Sequence, residues 1–371
     1  MKLFDKVGSR VGDFWANFYW DIGVDLGSSN IIVGLKDKGV IVDEPMMVAR
    51  LKRRRFSGLS APRMTGPKIL AYGYKAKEML NREPKQIEVV SPLKRGIISD
   101  LEATESLVAY YMRMISEIPS RYPKVFKPRI MVGVPGGVND VQKRAIKTIF
   151  LNVGVKEVIM VEQAVLAAVG VGLPLERAAA LLVVDIGGGK TEVSVVSLGG
   201  VVVGRSVESA GDDWDTAIGN YIKMKYGLLV GKRTAERIKI EVGNVSPRPI
   251  KSPKSTVIRG RDLETGLPKS VKVEEPEIRE AISLEVVKVA RAVGLVLDET
   301  PPELMDDILQ RGIVVVGNGA RLRGIEELIE EQVRINTSVA EEPGLCIMKG
   351  ILDLMVNQDK RAVVKTILGR R

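Results

Sequence analysis

Short β-rich runs separated by glycine turns dominate the hydrophobic pattern, and one arrangement of them occurs twice. Ile22 to Val24 leads into Asp25-Leu26-Gly27-Ser28-Ser29-Asn30. It continues through Ile31 to Leu35, turns at Asp37-Lys38-Gly39 and returns through Val40-Ile41-Val42. Leu181 to Val184 leads into Asp185-Ile186-Gly187-Gly188-Gly189-Lys190-Thr191. This copy continues to Leu198, turns at Gly199-Gly200 and returns through Val201-Val202-Val203. Such runs predict the same strand–loop–hairpin unit in each half.

Between and beyond these units the period changes. A helix is predicted at Lys75 to Leu80, and another over 101–118 with Leu101, Leu107, Val108, Tyr111, Met112 and Ile115 as its apolar stripe. A buried-type strand, Ile130 to Val134, runs into Pro135-Gly136-Gly137. Helix Asp140 to Leu151, strand Glu157 to Val161 and a helix starting near Glu162 follow. In the second half, 212–242 reads as helical and 246–276 as strands and loops, with helices at 277–297 and 302–310. Strand Ile313 to Val316 enters Gly317-Asn318-Gly319-Ala320, a turn that presents backbone N–H groups. A last helix near Gly344 to Met355 precedes a basic tail, Lys360 to Arg371. Strands alternating with helices in two similar halves predict two α/β domains around a cleft.

Composition narrows the classes. A length of 371 residues suits two domains, and 45% hydrophobic with 27% charged residues is the balance of a globular protein. The single cysteine, Cys346, excludes an internal disulfide framework and suits a reducing compartment. With no histidine, every Ser-His-Asp, Cys-His and His–metal mechanism is excluded. No apolar run is long enough for a membrane span, and the first twenty residues lack a signal-peptide core. A net charge of +10 favours an acidic partner, a nucleic acid or an anionic membrane, unless it only solvates the surface. The dense run Lys52-Arg53-Arg54-Arg55 lies in a Pro/Gly/Ser-rich loop reaching Lys68. No aromatic-interleaved basic strand supports single-strand nucleic-acid binding, and no nucleic-acid partner is expected.

The two acid-and-glycine loops carry the candidate chemistry. Glycines let amides converge on an anion, and an aspartate in the same loop suits phosphate only beside a cation such as magnesium. Two facing copies would clamp one triphosphate–metal complex; the plain alternative is a pair of ordinary hairpin turns. Gly189-Lys190-Thr191 imitates the end of a P-loop. However, Val184 stands where that motif needs glycine, and Glu192 to Val196 alternates as a strand rather than opening a helix.

The first nineteen residues are distinct. On a helical wheel Leu3, Phe4, Val7, Val11, Phe14, Trp15 and Phe18 fall within an arc of roughly 120°. Lys2, Lys6, Asp13 and Asn17 lie outside it. Such a face lies in an anionic headgroup layer or docks on its own protein or a partner. Gly8 and Gly12 weaken the free helix by about 1 kcal/mol each relative to Ala, which suits folding on contact.

Taken together, these residues resemble the MreB family of bacterial actins, within the actin–chaperone–sugar-kinase ATPase superfamily. The likeness runs from about Asp21 to Met355. Asp25 to Asn30, Val42-Asp43-Glu44-Pro45, Pro92 to Asp100, Asp185 to Leu198, Ala235 to Lys239 and Pro301-Pro302-Glu303-Leu304 carry it. The resemblance implies an actin-like α/β fold, two similar domains of four subdomains around a nucleotide cleft. It maps 1–19 as the amphipathic helix and 20–161 as domain I, with a small subdomain at about 43–90. Domain II becomes 162–335, with a small subdomain at about 214–276, and 336–371 a helix returning to domain I plus the basic tail.

The resemblance also implies ATP and Mg2+ as cofactors and slow ATP hydrolysis. It implies head-to-tail self-assembly into filaments on the cytoplasmic face of the membrane, cell-wall or membrane-protein partners, and a role in cell shape. Asp25 and Asp185 would hold the metal, largely through water. Gly27, Ser28, Ser29 and Asn30 with Gly187, Gly188, Gly189 and Lys190 would cradle the phosphates. Glu236, Arg237, Ile238 and Lys239 would line the ribose and adenine side, with Glu236 and Lys239 facing the nucleoside. Gly317, Asn318, Gly319 and Ala320 would close over it. Gln163 joins Asp25 and Asp185 as the implied catalytic set.

Three segments depart from the family pattern. Asp43 replaces an asparagine. Glu162-Gln163-Ala164 replaces Glu-Glu-Pro, so the water-placing residue is Gln163, as in eukaryotic actin; its amide orients water but is no strong base. Lys190 replaces a threonine and either pairs with the γ-phosphate or points to solvent. Rival readings on the same fold are a plasmid-segregating filament and a small-molecule kinase. For the kinase no substrate-pocket signature is present. A chaperone needs a peptide-binding domain, for which the stretch after Met355 leaves no room.

Overall fold

The computed structural model describes residues 21–52, 68–118, 127–175, 177–249 and 251–368. The amphipathic stretch carrying Leu3 to Phe18 and the basic residues Arg53 to Arg55 lie outside them. The described chain divides into two units, one of residues up to Val161 with Ile351–Val356, the other Glu162–Gly350 with Asn357 onward.

In the first unit, β1 (Asp21–Leu26), β2 (Asn30–Leu35) and β3 (Gly39–Pro45) form an antiparallel meander. A small sheet follows from β4 (Val48–Leu51), β5 (Ile69–Tyr72) and, after helix α1 (Gly73–Met79), β6 (Ile87–Val90). The two-residue strands β7 (Leu93–Lys94) and β8 (Ile97–Ile98) pair with each other. Asp100 then caps α2 (Leu101–Ser116) by accepting from the Ala103 amide at 3.0 Å. Strand β9 (Arg129–Val134) precedes α3 (Asp140–Asn152), opened by a reciprocal Asn139–Gln142 capping box, and β10 (Glu157–Glu162). The main sheet runs β10-β9-β1-β2-β3, so β1 is central. Its core contains Val24, Ile31, Val33, Leu107, Tyr111, Ile130, Val132 and Phe150. Each such side chain contributes about 1.5–3 kcal/mol on burial.

The second unit repeats this plan. Helix α4 (Gln163–Gly170) leads to the meander β11 (Ala180–Ile186), β12 (Thr191–Ser197) and β13 (Gly200–Val207). After α5 (Gly211–Tyr226), β14 (Leu228–Leu229) and α6 (Lys232–Val242), β15 (Ser255–Asp262) and β16 (Pro268–Glu274) complete a small antiparallel sheet with β14. Helices α7 (Glu275–Asp298) and α8 (Pro302–Arg311) then lead to β17 (Ile313–Val316), α9 (Ile325–Val333) and β18 (Thr337–Val339). The main sheet runs β13-β12-β11-β17-β18, with β11 central. Reversed, this matches β10-β9-β1-β2-β3 strand for strand: each central strand pairs antiparallel with the next strand and parallel with a later one. Trp214, Ile218, Ile238, Ile282, Val293 and Ile325 pack the core around β11. The chain ends in α10 (Cys346–Val356) and α11 (Gln358–Leu368).

Three expectations need correction. The 212–242 stretch is not one helix: Gly227, at φ +61°, closes α5 in the left-handed conformation, and β14 intervenes before α6. Leu101 is 51% exposed at the start of α2 and lies off the buried stripe. The basic tail, as far as it is described, is helical: Val364 of α11 is buried, and Val363 and Ile367 lie at the Gly199 turn.

Candidate functional site

The predicted residues of the first unit gather at the C-terminal end of its central strand. Asp25 is buried and stands opposite Ile32 of β2 and beside Gly133 of β9. The chain then turns through Gly27, Ser28 and Ser29 into Asn30. The turn needs glycine at its start, because a Cβ on Gly27 would sit 2.8 Å from the Asn30 carbonyl oxygen. It is braced from outside. The Ser28 hydroxyl accepts from the Gly96 amide at 2.7 Å, and the Ser91 hydroxyl donates to the Ser28 carbonyl at 3.2 Å. The 92–100 segment, singled out in sequence only by resemblance, thus backs this turn. Asn30 donates from Nδ2 to Asp43 at 2.7 Å, so the aspartate found in place of the family's asparagine orients a residue of the turn.

The second unit repeats the geometry. Asp185 stands on β11 opposite Glu192 of β12 and beside Val316 of β17. Gly187, Gly188, Gly189 and Lys190 form the turn, closed by the Gly187 amide donating to the Lys190 carbonyl at 3.1 Å. Helix α5 holds this turn: the Gly211 and Asp212 amides donate to the carbonyls of Gly187 (3.3 Å) and Gly188 (2.8 Å). Asp212 and Asp213 in the first turn of α5 suit its positive end. Lys239 of α6 reaches back, donating to the Gly211 carbonyl at 2.7 Å and pairing with buried Asp215 at 2.8 Å. Burial holds the Asp215 carboxyl above its usual range, against the pull of Lys239.

The Gly317 to Ala320 turn closes against the same place. A Cβ on Gly317, whose φ is +81°, would lie 2.4 Å from Asp185 Oδ1. One on Gly319 would lie 2.3 Å from the Ile186 side chain. Asn318 packs on Gly344, and Ala320 is buried. The second unit therefore brings together Asp185, Gly187 to Lys190, Lys239 and Gly317 to Ala320.

Other predicted residues are placed differently. Ile238 is fully buried in the core, and Arg237 points to the exposed side of α6, where it pairs with Glu241 at 3.1 Å. Neither side chain lies with Lys239, although Glu236 is close enough to Asp215 to act on it electrostatically. Lys239 is no exposed surface residue: its ammonium is committed to Gly211 and Asp215. Lys190 does not point to solvent either; it forms an ion pair with Glu192. Gln163, the first residue of α4, is buried, and α4 packs against β11 and β12.

Sequence reasoning missed Glu192, Gly211, Asp212, Asp215 and the Ser91–Gly96 brace. For Glu192 a signal was present: a lone acid in a strand of otherwise apolar and small residues, two positions after Lys190 and hence on its face. Among the described residues no three acidic or thiol side chains cluster as a metal cage. Taken within its own unit, the carboxylate beside each glycine turn, Asp25 in the first and Asp185 in the second, is an oxygen donor of the kind a hard cation takes.

The MreB/Mbl protein family model matches residues 19–363. The chain belongs to the MreB/Mbl family. Among its MreB/Mbl relatives, the cell shape-determining protein Mbl of Bacillus cereus is 39% identical over 92% of this chain and 98% of its own length. The cell shape-determining protein MreB of Escherichia coli is 38% identical over 91% of this chain and 93% of its own. The crystal structure of MreB5 of Spiroplasma citri bound to ADP superposes with a TM-score of 0.83 at 29% identity, covering 93% of this chain and 98% of that one. The same protein bound to AMPPNP gives 0.82, covering 95% and 99%. A MamK double helical filament shares the fold, with a TM-score of 0.73 at 20% identity over 91% of this chain and 99% of that one. The fold is thus the actin-like one that the duplicated hairpins resemble.

Proposed function

We propose that this chain is an ATP-binding cytoskeletal protein of the MreB kind that assembles into filaments, associates with the membrane and helps determine cell shape. One observation carries the nucleotide reading. The Gly187–Lys190 turn is locked by α5, and α5 is locked by Lys239, while the Gly317 turn closes over Asp185. Hydrogen bonds and close packing hold these backbone amides in place before a ligand arrives, as an anion cradle requires. The names of the relatives support a role in shape, and the ADP and AMPPNP of MreB5 support the nucleotide.

In this reading the turns Gly27 to Asn30 and Gly187 to Lys190 take the phosphates, the second through amides other than that of Gly187, which closes the turn; Glu236 with the Gly317 to Ala320 turn takes the nucleoside. Asp25 and Asp185 would hold magnesium through water, and the bound metal would neutralise charge on the phosphate oxygens. Gln163 orients the attacking water through its amide, so hydrolysis is slow. Head-to-tail contacts that do not close into a ring give an open filament. The amphipathic residues Leu3, Phe4, Val7, Val11, Phe14, Trp15 and Phe18 attach it to an anionic membrane surface. Among the described residues no helix is long and apolar enough to cross a membrane.

Light scattering and pelleting with ATP and magnesium, with and without anionic liposomes, test this reading. The expected result is assembly that needs ATP and is promoted by lipid, with lipid dependence lost on deleting residues 1–19. Assembly indifferent to lipid favours a plasmid-type filament, and no assembly under any condition argues for a non-polymerising enzyme.

A further inference from the structure

Lys190 and Glu192 form an ion pair beside Asp185, and its charge balance has a consequence. Glu192 stands directly opposite Asp185 in the β11–β12 ladder, so both carboxylates rise from one face of the sheet. Like charges at directly opposed positions repel. Both members of the ion pair are largely withdrawn from water, the Lys190 side chain at 17% exposure and that of Glu192 at 6%. Solvent therefore screens this pair far less than a surface one. Lys190 also ends the glycine turn itself, and its ammonium is held at Glu192, the residue opposite Asp185.

We infer that Lys190 is a resident counter-ion that makes nucleotide binding by this chain less dependent on divalent metal. The inference rests on the nucleotide reading above. Asp185, Glu192 and Lys190 sum to one negative charge; with threonine in place of Lys190 the sum is two. Without metal, a triphosphate meets the more negative turn at a greater electrostatic cost. With metal bound, much of that difference is cancelled, because the metal is attracted more strongly to the more negative turn. The signature is therefore the ratio of nucleotide dissociation constants in EDTA and in magnesium, rather than either constant alone.

The test is equilibrium binding of a fluorescent ATP analogue to the full chain in excess magnesium and in excess EDTA. Wild type is compared with K190T, E192Q and the double variant K190T/E192Q, each checked for folding by circular dichroism. K190T should raise the EDTA-to-magnesium ratio by about tenfold or more, the effect of one nearby charge in a partly desolvated site. E192Q should lower the ratio below wild type. The double variant restores the wild-type charge and should return the ratio to within about threefold of wild type. If K190T does not fold, the fall expected for E192Q decides the matter. A K190T ratio equal to wild type, or a double variant that stays with K190T, overturns the inference while leaving nucleotide binding intact. Wild type that binds no analogue even in magnesium overturns the nucleotide reading and this inference together.

Discussion

Asp25 and Asp185 are legible in sequence because a tight hairpin turn needs glycine locally, and an acid beside such glycines is conspicuous. Glu192 was visible only as a lone acid in an apolar strand; its place opposite Asp185 comes from register, which the pairing of β11 with β12 alone sets. The same limit applies to Arg237 and Ile238, which resemblance grouped with Lys239 although the turn of the helix sends one to the surface and the other into the core. Gln163 is the residue on which hydrolysis depends in this account. It is buried at the first position of α4, directly after β10, so its amide is held by packing rather than free in solvent. A phosphate-release assay on Gln163→Ala is expected to show turnover reduced by roughly 10²-fold, the lower end of what a positioned water-orienting or proton-accepting group contributes. Unchanged turnover would remove Gln163 from the mechanism.

At the scale of elements, glycine turns and periodicity located most strands and helices, while tertiary contacts decided their breaks and docking. Gly227 was passed over because apolar spacing continues on both sides of it. Its left-handed backbone ends α5 and allows α6 to turn back, so that Lys239 meets the start of α5. The tail was read by its charges, whereas Val363, Val364 and Ile367 give α11 an apolar face. The Lys239–Asp215–Gly211 contact joins α6 to α5 and, through α5, to the second glycine turn. Lys239→Ala leaves a buried carboxylate without its cation and should cost roughly 3 kcal/mol of stability near neutral pH. The cost should depend on pH. Burial already raises the Asp215 pKa above the unfolded value of 3.8, and loss of Lys239 raises it further. The native carboxyl then holds a proton that the unfolded chain has released. Stability from this group is therefore present at low pH and lost as pH rises through the native pKa. Urea melts at pH 5 and pH 7.5 should show the smaller deficit at pH 5; an equal deficit at both would mean that Asp215 is not the group left exposed to the change.

At the scale of the whole molecule, the internal duplication is the deepest feature that the sequence discloses. Two hairpin units with acid-and-glycine turns imply two sheets of one plan, and strand order and register agree. Family membership follows from the length of the match, 19–363. Assembly leaves a weaker trace in a single chain, since a filament contact is ordinary surface until a second copy covers it. The central proposal is that both glycine turns serve one nucleotide. The most direct measurement is a crystal structure of the protein with magnesium and a non-hydrolysable ATP analogue. The account predicts phosphate density against the turns Gly27 to Asn30 and Gly187 to Lys190, with the metal on the side of Asp25 and Asp185. A nucleotide bound away from either turn, or crystals that take up none at saturating concentration, would contradict it.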